Sequence, residues 1–306
     1  MELGMIGLGR MGRNMVWRLI GGDHRVVVYD SEVDAVESSA EYGAIRSSSI
    51  EDLTDQLGCP RYVWVMVPSG QATEGVITTL KGILSPGDTV IDGGNAYYKH
   101  SMRRAVELEK VGISFLDVGT SGGVWGAKYG YSMMVGGALD VFRKLESVFQ
   151  TLAPSIDKGY GYVGPAGAGH FVKMVHNAIE YGLMQAYAEG LELMEAKNEF
   201  GLDLRQIVEI WQHGSVVRSW LLDLTASALK EDPELAELEP YVQDSGEGRW
   251  SVKESIDLSV PIPVITAALQ TRFRSRQDNP FGARLLSSLR SKFGGHAAKS
   301  KHQDTV

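Results

Sequence analysis

Residues 2–30 read ELGMIGLGRMGRNMVWRLIGGDHRVVVYD, and this stretch decides the fold. Residues 2–6 are a short apolar run of strand length. Gly7-Leu8-Gly9-Arg10-Met11-Gly12 follows, and Met11, Met15, Val16 and Leu19 then recur at helical spacing. Gly21-Gly22 stops that helix. Residues 25–29 (RVVVY) form a second strand that ends in Asp30. A glycine hexamer alone is weak in a chain with 36 glycines. A strand before it, a helix after it and an acid closing the next strand make it strong.

Each part of the unit has a physical task. Gly7 permits the tight turn, Gly9 lets backbone N–H groups approach a pyrophosphate, and Gly12 allows close helix–sheet packing. The helix N-terminus adds positive potential. Asp30 can accept hydrogen bonds from the adenosine ribose hydroxyls. A 2′-phosphate would instead meet a carboxylate, at a cost of roughly several kcal/mol in a dry site. The unit therefore predicts a dinucleotide site that prefers NAD to NADP. A tight turn with an incidental acid, or a flavin or nucleotide-sugar site, are the competing readings.

The pattern continues outward. Strands are expected at 62–67 (YVWVMV), 89–92, 114–118 and 131–135, with a short edge after Gly43-Ala44. Helices are expected at 32–42, 71–82, 99–111 and 138–151. Such alternation predicts an α/β fold: a Rossmann-type, doubly wound, mostly parallel sheet. Loops at the strand C-terminal ends should line the ligand crevice. They place Val67, Pro68 and Asn95 beside Leu8, Arg10, Met11 and the three glycines as cofactor-binding residues. After Gly164-Pro165 the texture becomes helical: 168–199, 202–211, 220–230, 262–275 and 281–292, with 231–250 acidic and loop-rich. The expected organisation is a dinucleotide domain over 1–165, a smaller all-helical substrate and oligomerisation domain over 166–296, and a polar tail over 297–306.

The formal net charge of -8, without a long basic block before the last residues, disfavours broad nucleic-acid binding. One cysteine, Cys59, excludes an intrachain disulfide and suits a reducing compartment. No apolar run reaches membrane-spanning length and the first strand has no basic leader before it. The expectation is a cytoplasmic protein.

Lys173, His176, Asn177 and Glu180 recur at i, i+3, i+4 and i+7 on one helical face. This set allows hydride transfer with proton bookkeeping. A lysine beside a cationic nicotinamide loses its proton more readily and can act as a general base. A solvated polar face is the bland alternative. A metal site is disfavoured, because a lone His lacks a second His or Cys in spacing.

With these residues named, the chain resembles decarboxylating 6-phosphogluconate dehydrogenases in their short bacterial form. The carrying motifs are GLGRMG at 7–12, GGN at 93–95, DVGTSGG at 117–123, GPAGAGHFVKMVHNAIEY at 164–181, GEGRW at 246–250 and RSKFGGH at 290–296. The resemblance implies oxidation of 6-phosphogluconate at C3, loss of CO2 and release of ribulose 5-phosphate. It implies Lys173 as general base and Glu180 as general acid. Ser121, Gly122, Gly123, His176 and Asn177 would hold the carboxylate end and nearby hydroxyls, with Asn95 beside the nicotinamide ribose and substrate. Tyr181, Arg249, Arg272, Arg290 and His296 would hold the phosphate, and the protein would be a homodimer or homotetramer. Arg249 stands where the long form has Lys, and Ser251 where it has Thr. Val124 and Trp125 follow the Ser121-Gly122-Gly123 run where the long form has acids. Asp30-Ser31-Glu32 replaces the Asn-Arg-Thr of long NADP users. A non-decarboxylating β-hydroxyacid dehydrogenase, or a non-catalytic NAD sensor, are the alternative functions.

Overall fold

A computed structural model describes residues 1–294. The chain forms two compact units, Met1–Asn177 and Ala178–Val306. The first is built on eight strands: β1 (Glu2–Ile6), β2 (Arg25–Tyr29), β3 (Ile45–Arg46), β4 (Tyr62–Val65), β5 (Thr89–Asp92), β6 (Ser114–Ser121), β7 (Ser132–Gly137) and β8 (Tyr160–Gly164). Their order is β3-β2-β1-β4-β5-β6-β7-β8. Every pair is parallel except β6 with β7. The order reverses between β1 and β4, which opens a crevice at their C-terminal ends.

The helices of this unit are α1 (Arg10–Gly21), α2 (Val33–Ala40), α3 (Ile50–Asp55), α4 (Gln71–Ile83), α5 (Tyr98–Glu109), α6 (Gly126–Tyr129), α7 (Leu139–Lys144) and α8 (Glu146–Leu152). They cover both sheet faces, which is why β4 reads as an unbroken apolar run and β1 and β5 are buried along nearly all their length. One core layer gathers Leu3, Met5, Trp64, Leu116 and Phe149, and the other Ile6, Val27, Val63, Val65 and Val90. Alternate residues of β1 thus enter opposite layers.

The structure adds detail to the sequence reading. The expected helix over 138–151 is broken at Leu145 into α7 and α8. α3 is a short extra helix, started by Ser49, whose hydroxyl accepts the Asp52 N–H at 3.0 Å. β8 was not expected, because its sequence YGYVG is interrupted by glycine. Its Tyr160 and Tyr162 pack on one sheet face near Phe142.

α9 (Ala168–Glu195) begins in the first unit and runs into the second. The second unit continues with α10 (Leu204–Trp211), α11 (Trp220–Glu231), α12 (Glu247–Asp257), α13 (Pro263–Arg274) and α14 (Phe281–Gly294). Residues 232–246 form no helix, in keeping with the loop-rich reading of 231–250, but α12 takes the last four residues of that stretch. Arg249 lies in its first turn and Ser251 follows on the same helix. Small cores join Val208 to Leu222, and Tyr181 to Leu269. Among the described residues, no helix is long and apolar enough to cross a membrane.

Candidate active site

The glycine loop takes the shape its residues require. Gly7 has φ +97°, and a Cβ there would lie 2.6 Å from the Met66 carbonyl oxygen. A Cβ on Gly12 would lie 2.0 Å from the Gly7 oxygen, so only glycine lets α1 start this close to β1. A Cβ on Gly9 would meet nothing, which leaves open space in front of the helix. Gly9 caps α1 without a side-chain hydrogen bond, and the first turn contains no acid. Its positive end is thus available to an anion.

Asp30 is tied to this loop. Its carboxylate accepts the Leu8 N–H at 2.5 Å and the Glu32 N–H at 2.9 Å. The Ser31 hydroxyl also donates to it at 3.3 Å. A carboxylate has about four acceptor positions, so these three bonds leave about one for a ribose hydroxyl. The surrounding cleft has a volume of about 1090 Å³. Gly7 through Gly12, Asp30, Val67, Pro68, Asn95 and Lys173 all line it. Every cofactor-binding residue read from the sequence is therefore on one cleft. The sequence reading missed a wall of α4 made by Gln71, Ala72, Gly75, Val76 and Thr79. Its signal was available: small residues recur along one face of that helix. The open front of Gly9, the uncapped helix end and the cleft volume fit a dinucleotide.

Lys173 reaches this cleft because α9 is pressed against the ends of β6 and β7. The Asp117 carboxylate is fully buried and accepts the N–H groups of Gly167 at 2.7 Å and His170 at 2.8 Å. It thereby caps the helix start. A Cβ on Gly119 would lie 2.4 Å from the Lys173 Cβ, and one on Gly169 would lie 2.3 Å from the Asp117 carbonyl oxygen. His176 Nε2 lies 3.4 Å from the Ser121 hydroxyl, and its Nδ1 lies 3.1 Å from Asn177 Oδ1. Ser121, His176 and Asn177 are thus brought together, with Gly122 and Gly123 following at φ +125° and +51°. Lys173, His176, Asn177 and Glu180 are all half-buried, while Met174 and Ala178 pack inside. A plainly solvated face would be more exposed.

Behind Asn95, Asp92 is fully buried and bonds Arg104 at 2.7 Å and the Gly94 N–H at 3.2 Å. Burial pushes the Asp92 carboxyl up, against opposing pulls from His170 and Arg104. Asp117 opens the quoted 117–123 run, but its capping role, like the pairing of Asp92 with Arg104, had no local sequence signature, since the partners are distant in the chain.

In the second unit, Tyr181, Arg249 and Arg272 surround residues 243–245. The Arg272 guanidinium lies 3.6 Å from the Tyr181 ring centroid and donates to the Gln243 carbonyl at 2.7 Å. The Ser245 N–H donates to the Tyr181 hydroxyl at 3.2 Å. Arg249 bonds Asp244 through Nε at 2.6 Å and Nη2 at 3.2 Å. Arg290 is exposed on α14, and among the described residues no hydrogen bond or ion pair joins it to this group. His296 lies outside the described residues. No group of three His, Cys, Asp or Glu residues suited to a metal ion occurs among the described residues.

Residues 2–164 match the NAD binding domain of 6-phosphogluconate dehydrogenase, and residues 169–304 match its C-terminal domain. The chain belongs to the 6-phosphogluconate dehydrogenase family. It is 43% identical to the NAD(+)-dependent, decarboxylating 6-phosphogluconate dehydrogenase of Haloferax volcanii, over 98% of this chain and 99% of that one. It is 42% identical to YqeC of Bacillus subtilis, over 98% of this chain and all of that one. Solved structures of Plasmodium falciparum 6-phosphogluconate dehydrogenase, apo, with its cofactor NADP+ and with its substrate 6-phosphogluconate, superpose with a TM-score of 0.83 at 27% identity. They cover 100% of this chain and 67% of that one.

Proposed function

We propose that this chain oxidises and decarboxylates 6-phosphogluconate with NAD, releasing ribulose 5-phosphate and CO2. The observation that carries the reading is Lys173 on the wall of the glycine-loop cleft, followed along α9 by His176, Asn177 and Glu180. The named activity of the Haloferax volcanii relative supports the substrate and cofactor.

Gly7 through Gly12 and Asp30 would hold NAD, which when bound would supply the hydride acceptor for C3 of the sugar acid. Lys173 removes the proton of the 3-hydroxyl, so a 3-keto acid forms. The C1–C2 bond then breaks, CO2 leaves, and its electron pair moves to the C3 carbonyl. Protonated Lys173 stabilises the developing negative oxygen. Glu180 donates a proton to the carbon that becomes C1 of the product. Ser121, His176 and Asn177 orient the carboxylate and adjacent hydroxyls, with the Gly122–Gly123 backbone and Asn95 completing that end. Tyr181, Arg249 and Arg272 receive the phosphate, joined by Arg290 and His296.

The working division is a cofactor domain over 1–165, a substrate and oligomerisation domain over 166–296, and a tail over 297–306. The protein acts as a cytoplasmic homodimer or homotetramer. Lys173→Ala tests the chemistry: turnover falls by at least about 10²-fold, the low end for a lost general base, while NAD affinity is retained. Unchanged turnover in that variant would contradict the mechanism. Deleting residues 290–306 raises the KM for 6-phosphogluconate far more than that for NAD. Equal effects would argue against a phosphate clamp in the tail.

A further inference from the structure

Asp244 is an unusual neighbour for an anion site. Its side chain is only 4% exposed and holds two arginines. Arg249 meets it edge-on, and Arg276 donates from Nη2 to Oδ1 at 2.7 Å. Both guanidinium groups lie beside the Phe273 ring, 4.4 and 5.3 Å from its centroid. Arg276 Nε also donates to the Arg272 carbonyl oxygen at 3.1 Å. The other nearby carboxylate, Glu247, is buried and accepts the Ser245 hydroxyl at 2.7 Å. Arg249, Arg272 and Arg276 are thus gathered around Asp244 and residues 243–245.

An arginine's planar fork binds a carboxylate along one edge and leaves donors for another anion. Asp244 occupies one edge of Arg249, whose side chain remains 51% exposed, and Arg276 remains 22% exposed. The carboxylate fixes two like charges that would otherwise repel each other. It takes the Nε and Nη2 donors of Arg249 and an Nη2 donor of Arg276, so a ligand would meet the donors that remain.

We propose that Arg276 is a further specificity-determining residue for the substrate phosphate, presented together with Arg249 by Asp244, which acts as a positioning residue. This rests on the proposed phosphate role of Tyr181, Arg249 and Arg272. Arg276 extends that group beyond the residues read from the sequence.

Calorimetric binding of 6-phosphogluconate and of unphosphorylated D-gluconate tests the assignment, alongside kcat and KM, with thermal unfolding as a folding control. Arg276→Ala weakens 6-phosphogluconate binding at least tenfold and raises its KM similarly. It leaves kcat within about threefold and D-gluconate and NAD affinities unchanged. Arg276→Lys restores part of the loss, and Asp244→Asn reproduces it. Wild-type affinity in Arg276→Ala, or an equal loss for D-gluconate, overturns the proposal. Tighter binding by Asp244→Asn also overturns it, since Asp244 would then be competing with the phosphate. A wild type that binds 6-phosphogluconate selectively yet releases no CO2 contradicts the proposed activity and, with the variant losses above, supports the Arg276 assignment. A wild type that binds neither compound overturns both.

Discussion

Asp30 joins the proposed cofactor choice to loop shape. Its carboxylate holds the Leu8 N–H while facing the cleft. Asp30→Ala is expected to lower the NAD-to-NADP ratio of kcat/KM at least tenfold, because the repulsion of a 2′-phosphate disappears. It should also raise the KM for NAD, since the glycine loop loses its tether. An unchanged ratio, measured with both cofactors, would refute the role. Asp244 makes a different residue-scale prediction. Its hydrogen bonds to Arg249, and then to Arg276, outweigh burial and hold its carboxyl below the ordinary value of 3.8. The folded pKa is depressed, so its stabilising contribution is complete above pH 3.8 and disappears as pH falls through the folded value. The difference in urea-unfolding midpoint between wild type and Asp244→Asn should stay constant near neutrality and shrink below pH 3.8. A difference that grows on acidification would contradict this account.

At the scale of elements, the decisive contact is between β6 and the start of α9. Gly119→Ala places a Cβ 2.4 Å from the Lys173 Cβ and 2.5 Å from the Gly169 oxygen. The backbone oxygen cannot swing aside, so α9 must shift. The expected result is a tenfold or greater loss of kcat with NAD affinity nearly intact, since α1 and its loop are untouched. A variant with unchanged kcat would show that the close approach does not matter. Much of this frame was readable beforehand. The alternation of apolar strands and amphipathic helices leaves a direct periodic trace, and Lys173 to Glu180 declare one helical face. Other parts left no trace. β8 is hidden by the glycines between its tyrosines. α12 was masked by the acidic approach to Glu247. Asp117 caps a helix that begins some fifty residues later in the chain, and Asp244 gains its meaning only when α13 returns Arg276 to it. Local patterns expose elements, whereas long-range hydrogen bonds depend on the finished fold.

On the scale of the whole molecule, the second unit presents more apolar surface than its small cores explain. Phe281, Leu285, Leu286, Leu289 and Phe293 are exposed along α14, with Phe293 at 98%. A second copy of the chain would cover such a surface, in keeping with the proposed homo-oligomer. Light scattering should give a dimer or tetramer mass, and Leu286→Glu with Leu289→Glu should shift it toward the monomer. A monomeric wild type would contradict the proposal. In the proposed reaction, hydride removal and carbon–carbon cleavage occur on one phosphorylated sugar acid held beside Lys173. The most direct test is simultaneous measurement of NADH and CO2 with 6-phosphogluconate as substrate. One CO2 is expected for each NADH formed, whereas NADH without CO2 would identify a dehydrogenase that does not decarboxylate and would contradict the proposed reaction.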